Sequence, residues 1–541
     1  MPHKSLTSRR KILAWLVLAL VMGAITVLLW NVFPHEPRVT FVGKHPWGWL
    51  SPDGGRLALP DSPWLWDTHS GNGLFALPEG VHFATGWPRF SADNKLMVWE
   101  SEPMKLFFGD FQTGRTWAVV LPAPWLGANR FLFSLDSEIL AVQDRGGDIV
   151  LIETASGRLL DRLSGEEDNQ DPFWGFTAGG AYLAYPASDK KTSSVGFWNT
   201  RTRRREVVLD PDNMFVSISP DGKSLLTAQA SYLETDDRYF HIFNLWDFDP
   251  PRKTPRAKLA AKTGWHRFSG NAFSADSKWL ATWDGGGEQP GIVEFWNVQN
   301  GQRIAESPDL GTVYGGAWTP DGSHFAISTM FMTGGVWTGK RWKNQEERVK
   351  LALFDLNRKG IAWEQIWYRD SMSTHPTFSP SGNALAVYAE NRIRFLDPTT
   401  GRVRADARAP EAAAGATTNH DVTPDKRRLV YREIGNTRSK PNWIDEALAW
   451  VRLRPLPAEH RDWDLVTVFD METAQELVHL EYTRHTEAPL LSDDGSTLVT
   501  FHQDHVAIWD VPGRPPLRWV VGLPVGLWIA SCLIVFKRLQ P

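Results

Sequence analysis

One short pattern recurs ten times along this chain, and the repetition restricts the possible folds more than any other feature of the sequence. Each copy has Ser or Thr, any residue, Asp or a substitute, and Gly or a substitute, and then enters an apolar stretch. Most successive copies begin 40 to 45 residues apart, the length of four short strands with their turns. The copies are SPDGGRLAL (51–59), SADNKLMVW (91–99), SLDSEILAV (134–142), TAGGAYLAY (177–185), SPDGKSLLT (219–227), SADSKWLAT (274–282), TPDGSHFAI (319–327), SPSGNALAV (379–387), TPDKRRLVY (423–431) and SDDGSTLVT (492–500).

The first half of each copy has the chemistry of a tight turn. Ser, Thr and Asp side chains bond to nearby backbone groups, Pro presets φ at the first corner, and Gly or Asn tolerates positive φ. The residues after the turn alternate as they do in a strand whose two faces have different surroundings. Each copy therefore predicts two strands, a and b, joined by this turn.

A second element follows in most copies and ends another strand. It occurs as LWDTHSG (65–71), LIETASG (151–157), FWNTRTR (197–203), LWDFDPP (245–251), FWNVQNG (295–301), LFDLNRKG (353–360), FLDPTTG (395–401), VFDMETA (468–474) and IWDVPG (508–513). This element resembles the Trp-Asp dipeptide that closes the third strand of a WD-repeat blade, followed by a turn into the fourth strand. The resemblance covers residues 38–513 and implies a β-propeller, a fold that hosts many functions.

The resemblance has one gap and one consequence for the core. The Gly-His dipeptide of eukaryotic WD repeats is missing, which leaves open whether these repeats are nearer to the TolB-type bacterial propellers. In either case, the tryptophans of the dipeptide are expected to be core residues because each has a fixed place in its blade. They are Trp66, Trp198, Trp246, Trp296 and Trp509.

Together these units predict an all-β protein, a β-propeller of about ten four-stranded repeat units, flanked by one N-terminal and one C-terminal transmembrane α-helix. Ten units exceed the 4–8 blades typical of propellers, so two smaller rings or an incomplete solenoid remain alternatives to one large ring. The last copy supplies only three strands. The segment RVTFVG (38–43) looks like a lone fourth strand, and its pairing with the last copy would close a single ring.

The two ends of the chain predict membrane anchors. Residues 12–33 carry no charge, and at ~1.5 Å per residue they extend ~33 Å, enough to cross the hydrocarbon core. A signal peptide is the rival interpretation, but the run ends without an A-x-A-like cleavage site. Residues 519–536 form a second apolar span near the lower length limit. The predicted domains are a basic tail (1–11), a transmembrane helix (12–33), the propeller (38–513), a transmembrane helix (519–536) and a basic tail (537–541).

The charges next to the two spans predict the orientation in the membrane. The positive-inside rule places both tails in the cytoplasm and the propeller outside it, in an integral membrane protein. Arg514 and Arg518 argue weakly for the reverse arrangement, with a cytoplasmic propeller. The single cysteine, Cys532, excludes an intramolecular disulfide. The basic residues of the tails are Lys4, Arg9, Arg10, Lys11, Lys537 and Arg538.

Long insertions mark one predicted face of the propeller as a binding surface. Both repeated turns, a–b and c–d, lie on one face, so the b–c connections lie on the other. The insertions at 231–239, 284–291, 329–349 and 433–464 fall largely between strands b and c, and loops this long are usually functional or disordered. Residues 443–454 also have an amphipathic helical pattern.

Exposed Trp and Arg are the residue types that anchor protein interfaces, and two of these insertions contain both. The alternative is that each loop packs on itself. The candidate partner-binding residues are Trp337, Arg341, Trp342, Lys343, Trp443, Trp450, Arg452 and Arg454.

The opposite face carries basic c–d turns. If both termini leave from this face, the membrane lies below it, and these turns are predicted to face lipid headgroups. A solvated charged hairpin is the alternative. The basic residues are Arg201, Arg203, Arg204, Arg205, Arg252 and Lys253.

The sequence offers little for catalysis. It has no G-x-S-x-G elbow, H-E-x-x-H pair or phosphate-binding P-loop. His502, Asp504 and His505 could contribute to a metal site, but a structural turn is preferred because spacing marks no further ligand. We therefore expect no enzyme activity, no cofactor and no metal. The net charge of −4, from 58 basic and 62 acidic residues, gives no overall basic field for nucleic acid.

These observations predict a membrane-anchored β-propeller that serves as a protein–protein interaction scaffold through its loop-rich face, with a protein as partner. The alternative is an extracytoplasmic propeller enzyme or small-ligand sensor that uses the central channel. Residues of such a site would be scattered along the chain, so no motif would reveal them.

Overall fold

The computed structural model describes most of the region between residues 36 and 513, together with a few residues before it. The described residues are 17, 21–23, 26, 36–42, 47–60, 62–77, 88–102, 104–122, 128–144, 147–163, 175–177, 180–188, 193–209, 213–233, 238–248, 251–259, 270–283, 291–333, 336–337, 342–343, 346–368, 375–389, 392–407, 417–437, 461–483, 488–502 and 504–513.

Ten four-stranded antiparallel sheets form the blades of one propeller. The first strand in the chain is β1 (Val39–Val42), which belongs to blade 10. Blade 1 contains β2 (Trp49–Leu50), β3 (Arg56–Ala58), β4 (Trp64–Asp67) and β5 (Gly73–Ala76), and blade 2 contains β6 (Arg89–Phe90), β7 (Leu96–Glu102), β8 (Lys105–Asp110) and β9 (Thr116–Val120). Blade 3 contains β10 (Ala128–Phe133), β11 (Ile139–Asp144), β12 (Ile149–Glu153) and β13 (Leu159–Leu163), and blade 4 contains β14 (Gly175–Phe176), β15 (Tyr182–Ser188), β16 (Ser193–Asn199) and β17 (Arg204–Val208). Blade 5 contains β18 (Asn213–Ile218), β19 (Ser224–Leu233), β20 (Arg238–Asp247) and β21 (Ala257–Leu259).

Blades 6 to 10 continue in the same order. Blade 6 contains β22 (Gly270–Phe273), β23 (Trp279–Trp283), β24 (Val293–Asn297) and β25 (Arg303–Glu306), and blade 7 contains β26 (Thr312–Trp318), β27 (His324–Thr333), β30 (Glu346–Asp355) and β31 (Gly360–Tyr368), with the small hairpin of β28 (Val336–Trp337) and β29 (Trp342–Lys343) between β27 and β30. Blade 8 contains β32 (Thr377–Phe378), β33 (Leu385–Ala389), β34 (Arg392–Leu396) and β35 (Val403–Ala407), and blade 9 contains β36 (Thr417–Val422), β37 (Arg428–Thr437), β38 (Arg461–Asp470) and β39 (Glu476–Thr483). Blade 10 contains β40 (Leu490–Leu491), β41 (Thr497–Phe501) and β42 (His505–Asp510), together with β1.

The ring closes by pairing the two ends of the propeller. Strand β1 lies antiparallel to β42, with Val39 opposite Ile508 and Val42 opposite His505. Blade 10 therefore takes three strands from the end of the chain and its fourth from the beginning, as the sequence predicts. A single ring of ten blades is confirmed, and the alternatives of two rings or a solenoid are wrong.

The core consists of apolar clusters between adjacent blades. In the described residues, ten such clusters occur, one for each neighbouring pair around the ring. The cluster that joins blade 10 to blade 1 includes Phe41, Leu57 and Phe501. Burial of each large apolar side chain contributes ~1.5–3 kcal/mol, so every interface adds to closure of the ring.

The repeated a–b turn is held by one hydrogen-bond arrangement. In eight copies the Ser or Thr hydroxyl donates to the Asp carboxylate at 2.5–2.6 Å, as Ser51 does to Asp53. The backbone N–H of Arg56, at the start of strand b, then donates to the Ser51 hydroxyl at 2.9 Å. The motif is thus a folding signal, since its polar groups satisfy one another within the turn.

The tryptophans of the Trp-Asp and Trp-Asn dipeptides largely lie where the sequence places them. Trp198, Trp246, Trp296 and Trp509 are buried, whereas Trp66 is half-buried. The core role is confirmed for the four buried residues.

The two predicted transmembrane helices fall almost entirely outside the described residues. In the first span, residues 17, 21–23 and 26 are helical, and the Thr26 hydroxyl donates to the Met22 carbonyl oxygen at 2.9 Å. Within the described part of the chain, no helix is both long and apolar enough to cross a membrane.

Candidate functional site

Three blades carry b–c hairpins that are much longer than those of their neighbours. In blades 5, 7 and 9, strands b and c have ten residues each, whereas in blades 6 and 8 they have five. Five additional residues per strand extend a hairpin by ~16 Å. We call these three hairpins the crown: β19–β20, β27–β30 and β37–β38.

The crown lies on the face opposite both ends of the propeller. Strand β1 starts, and β42 ends, on the side of the c–d turns, because the two segments replace the c–d turn of blade 10. The b–c connections open on the other side. The prediction that the long insertions connect strands b and c is therefore confirmed for residues 231–239, 329–349 and 433–464.

The described residues of each insertion are strand and not loop. The pairing of β27 with β30 continues without a break from His324 opposite Asp355 to Thr333 opposite Glu346. The same holds for β37 and β38, up to Thr437 opposite Arg461. The physical reason is that each insertion prolongs the ladder and satisfies its backbone groups by cross-strand bonds.

The structure places three of the eight candidate partner-binding residues. Trp337 lies in β28, while Trp342 and Lys343 lie in β29, and the pairing sets Trp337 directly opposite Trp342. Cross-strand partners of this kind have Cβ atoms ~4.5–5.5 Å apart. The other five lie outside the described residues, as does the predicted helix at 443–454: Arg341, Trp443, Trp450, Arg452 and Arg454.

Aromatic and charged side chains meet at the base of the crown, where blade 7 packs on blade 8. The guanidinium carbon of Arg394 lies 5.3 Å from the ring centre of Trp367, a cation–π contact between the two blades. On the outer strand β31, Ile366 is 48% exposed, and Glu364 pairs with Lys350 at 3.6 Å. A cation–π contact and an ion pair thus lie at the base of the crown, beside an exposed apolar side chain.

The histidine pair at the b–c turn of blade 10 forms a structural cluster. The rings of His502 and His505 stack with centroids 4.2 Å apart and an interplanar angle of 4°. His502 Nε2 lies 3.0 Å from the Thr500 hydroxyl, which also accepts a hydrogen bond from Trp509 Nε1 at 2.9 Å. His505 Nδ1 lies 2.6 Å from an Asp504 carboxylate oxygen. These contacts occupy the side chains that the sequence offered as metal ligands.

In the described part of the chain, no group of three or more His, Cys, Asp or Glu side chains is placed to hold a metal ion. One serine–histidine–aspartate grouping occurs that the sequence motifs do not mark. Ser323 Oγ lies 2.7 Å from His324 Nδ1, and His324 Nε2 lies 3.7 Å from Asp355.

This grouping does not resemble a working nucleophile. The Ser323 hydroxyl also lies 2.8 and 2.9 Å from the two Asp321 oxygens, and 3.7 Å exceeds hydrogen-bond length. In blade 9, Arg428 occupies the His324 position and pairs with Asp470, the counterpart of Asp355. His324 is thus a variant of a structural ion pair.

The face that carries the a–b and c–d turns is here named the turn face, and part of its basic charge is paired with carboxylates. Of the six basic residues predicted to face lipid, Arg203 pairs with Glu153 at 2.7 Å, Arg205 with Asp161 at 3.1 Å, and Arg252 with Asp247 at 3.4 Å. Arg201, Arg204 and Lys253 are exposed on this face. About half of the predicted positive patch is therefore neutralised by the protein itself.

An open cleft of about 400 Å³ lies on the turn face between blades 2, 3 and 4. Its charged lining residues are Asp93, Lys95, Asp110, Asp136, Glu138, Glu153 and Arg203. Hydrogen bonds from Ser156, Arg203 and Arg158 lower the pKa of Glu153 to about 2. With five carboxyl groups against two basic side chains in its lining, the cleft is acidic on balance.

Comparisons with known proteins identify the fold but no family. No protein-family model matches the sequence, and no curated protein matches it. A crystal structure described as the eukaryotic initiation factor superposes with a TM-score of 0.50 at 13% identity, over 82% of this chain and 97% of the other. At that identity the likeness shows a shared β-propeller fold and nothing finer.

Two further solved structures align less closely. The hydrazine synthase of Kuenenia stuttgartiensis has a TM-score of 0.35 at 13% identity, over 72% of this chain and 97% of the other. A computationally designed protein has a TM-score of 0.40 at 12% identity, over 72% and 98% of the two chains.

Proposed function

We propose that this propeller is a WD-repeat-like scaffold that holds a protein partner on its crown. The observation that carries the proposal is the projection of three long hairpins, from blades 5, 7 and 9, on a single face. Propeller function resides in such surfaces grafted on a rigid frame. Insertions without a function would be expected on both faces of the propeller.

The chemistry of the crown supports a protein partner. Its blade 7 hairpin sets Trp337 opposite Trp342 next to Lys343, in the region predicted from sequence. Trp and Arg are enriched among the residues that dominate binding energy at interfaces. The insertion in blade 7 also contains Arg341, and the insertion in blade 9 contains the other four candidates, Trp443, Trp450, Arg452 and Arg454.

We further propose that the propeller is tethered to a membrane through both ends, with the turn face towards the bilayer and the propeller outside the cytoplasm. The described residues of the first span are helical, and its Val17 and Val21 are exposed by 52% and 48%, as expected for side chains in lipid. Both ends of the ring emerge on the turn face. The crown therefore points away from the bilayer in this arrangement.

The scaffold proposal is tested by affinity purification from detergent-solubilised membranes with three hairpin variants. The blade 7 variant replaces residues 334–345 by Asn-Gly, which joins Thr333 to Glu346 at their existing cross-strand pairing. The blade 9 variant replaces residues 438–460 in the same way, between Thr437 and Arg461. The matched control replaces residues 234–237 of blade 5, which contain neither Trp nor Arg.

The expected result is a partner recovered with the wild type and the blade 5 control, and lost with the blade 7 or blade 9 variant. A partner retained by all three variants would move the binding surface to the blades or the turn face. The absence of any partner for the wild type would contradict the scaffold proposal and favour the enzyme or small-ligand alternative.

The orientation has its own test. A reporter that is active only in the cytoplasm, fused after Pro541, is expected to be active. Activity of a reporter that works only outside the cytoplasm, at the same site, would place the propeller in the cytoplasm and leave the crown proposal unaffected.

The absence of enzyme activity stays a prediction, which metal analysis of the purified protein addresses first.

A further inference from the structure

The outer strand of blade 7 is the longest outer strand in the described part of the ring. Strand β31 has nine residues, whereas the other outer strands have between three and eight. It lies at the end of its sheet, with β30 as its neighbour. Every second residue of such an edge strand points its backbone N–H and C=O groups away from the sheet. The length of β31 therefore presents a long row of these groups.

Strand β31 lacks the features that usually keep a sheet edge from pairing with other chains, namely short length, charged side chains and proline. Eight of the other outer strands have five residues or fewer, and the eight-residue β39 carries Glu476 and Glu481. The sequence of β31, GIAWEQIWY, contains no proline, lysine or arginine. Its single charged residue, Glu364, pairs with Lys350 at 3.6 Å. The edge is thus open to a further strand.

Two contacts with blade 8 hold β31 from one side. Trp363 Nε1 donates to the Pro398 carbonyl oxygen at 2.7 Å. The ring centre of Trp367 lies 5.3 Å from the guanidinium carbon of Arg394. Because the edge is already fixed in an extended conformation, it loses little conformational entropy when a partner strand pairs with it.

The other side of β31 is exposed and has a regular pattern. Ala362, Glu364 and Ile366 are exposed, and Ile366 retains 48% of its accessible surface. The pairing with β30 continues up to Tyr368 opposite Arg348, which lies in the crown hairpin of blade 7. A strand added to this edge would therefore place alternate side chains beside Glu364 and Ile366 and would run up to the crown.

We propose that β31 binds an extended segment of the crown's protein partner, which adds a fifth strand to blade 7. The row of backbone groups fits an extended strand, because a helix satisfies its own backbone groups internally. The partner segment carries a basic residue beside Glu364 and an apolar residue beside Ile366, two positions apart on one face of its strand. This inference rests on the proposed function, since it identifies the kind of segment by which that partner is held.

A synthetic peptide tests strand addition directly. Its sequence alternates threonine with one lysine and two valines, so that the lysine and the valines share one face, and a fluorescent label reports binding to the full chain by anisotropy. We expect saturable binding, which Ile366→Lys should weaken about tenfold or more because it sets a positive charge on the edge. The matched control is Leu159→Lys on the outer strand β13, where Leu159 is 46% exposed, and it should bind as the wild type does. Absence of binding to the wild type overturns the proposal.

Backbone pairing has a readout that leaves the protein unchanged. Two further peptides carry N-methyl groups on alternate residues, one on the lysine and valines and the other on the threonines. In an added strand, the N–H groups of one set point towards β31 and those of the other set point away. One methylated peptide should therefore lose binding while the other keeps it. Equal effects of the two sets of methyl groups would mean that no backbone ladder forms, and would overturn the proposal.

A charge exchange tests the position of Glu364. Glu364→Lys should weaken binding of the lysine peptide about threefold or more and favour a peptide in which glutamate replaces that lysine, because opposite charges on neighbouring strands attract. If Glu364→Lys still prefers the lysine peptide, this carboxylate does not face the added strand, and that part of the proposal is wrong.

The partner itself separates this proposal from the scaffold proposal. A partner that requires the crown hairpins should also be lost in Ile366→Lys and be displaced by the peptide. A partner kept by Ile366→Lys would overturn the role of β31 and leave the scaffold proposal intact. If the wild type retains no partner, the scaffold proposal fails, while the peptide titration still decides whether β31 accepts a strand.

The other possible occupant is a second copy of the chain, which sedimentation velocity of the full chain in detergent detects. A dimer that dissociates in Ile366→Lys would assign the edge to self-association and overturn the proposal. Near-ultraviolet circular dichroism of each variant separates loss of binding from loss of the folded ring. If Ile366→Lys fails to fold, the two methylated peptides decide, since they are tested on the wild type.

Discussion

Arg38 and Asp510, 472 residues apart in the chain, meet in an ion pair with Arg38 Nη1 2.5 Å from Asp510 Oδ1. Arg38 Nε also donates to the Thr68 carbonyl oxygen of blade 1 at 3.1 Å. The same geometry occurs inside blade 5, where Arg256 precedes strand d and pairs with Asp247 at 2.6 Å. Blade 10 thus forms, between the two ends of the propeller, the same arginine–aspartate ion pair that blade 5 forms within one hairpin.

Removal of this ion pair should loosen the ring at its junction. The side chains of Arg38 and Asp510 are only 16% and 13% exposed, so Arg38→Ala leaves a poorly solvated carboxylate and should lower the free energy of unfolding by about 2–3 kcal/mol. Urea unfolding followed by tryptophan fluorescence measures the loss. Chymotrypsin should also cleave after Phe41 of β1 faster in the variant, because this side chain is buried while the junction is closed.

The control for Arg38 is Arg404→Ala, which breaks an ion pair with Asp397 within one hairpin. Arg404 is 47% exposed, so its loss should cost less than about 1 kcal/mol. An equal loss in the two variants would mean that the junction contributes no special stability.

The a–b turn of blade 8 is held by a carboxylate of blade 9, and a double substitution should restore the turn found in the other blades. The blade 8 turn has Ser381 in place of Asp, and Glu472 of blade 9 accepts from the Ser379 hydroxyl at 3.1 Å and from the Ser381 N–H at 2.8 Å. Burial alone would raise the pKa of Glu472, but the hydrogen bonds of Ser381 and Ser379 together outweigh it and lower the pKa.

Ser381→Asp should therefore destabilise the protein by about 1–2 kcal/mol, because it sets a second carboxylate against Glu472, a coupling within the range for residues in contact. In the background of Glu472→Gln the same change should be neutral or stabilising, since it restores the turn found in the other blades. Chemical unfolding of the four proteins gives the coupling energy. Additive effects would refute the borrowed-carboxylate account.

Two buried tryptophans in equivalent positions should respond differently to Trp→Phe. Trp246 Nε1 donates to the Thr227 hydroxyl at 2.8 Å, whereas within the described residues Trp198 Nε1 makes no hydrogen bond. Both substitutions remove similar volume, but only Trp246→Phe loses a hydrogen bond. We expect Trp246→Phe to cost about 1 kcal/mol more than Trp198→Phe, as measured by urea midpoints. A larger cost at Trp198 would contradict this.

Acid should weaken the contact between blades 3 and 4 through Glu153. Its pKa in the folded protein is about 2, below the ordinary value of 4.5, because Ser156, Arg203 and Arg158 bind its charged form. The carboxylate therefore stabilises the fold fully above pH 4.5, and this contribution is lost as the pH falls from 4.5 through about 2.

The difference in unfolding midpoint between the wild type and Glu153→Gln should be constant above pH 4.5 and shrink below it. Glu138→Gln is the control for loss of a carboxylate from the same cleft, since the hydrogen bonds of Ser156, Arg158 and Arg203 go to Glu153. A difference that grows on acidification would contradict the direction of the pKa shift.

Sequence reasoning predicts the repeated parts of this molecule well, because each copy of the motif solves the same local problem. The Ser51–Asp53 turn and the pairing of residues 38–43 with the last copy follow from turn chemistry and from counting strands. The hydrogen-bond partners of the buried tryptophans were not predicted, although a signal exists: Thr227, Thr282 and Thr500 hold the same place in their copies, and each accepts from a tryptophan.

The sequence does not reveal contacts that depend on how blades are set against each other. Glu472 and Ser381 are 91 residues apart, and no spacing rule joins them. The crown residues were predicted as loop, because an insertion that extends both strands looks irregular until its register is known.

The closing strand has a consequence for synthesis of the protein. Strand β1 leaves the ribosome first, but its partner β42 is made last, 472 residues after the Arg38 that pairs with Asp510. At ~5–20 residues per second, the first strand waits roughly half a minute to a minute and a half for its partner. During that time nine blades can form in sequence, while blade 10 has only its outer strand β1. The ring can therefore close only after synthesis of the propeller is complete.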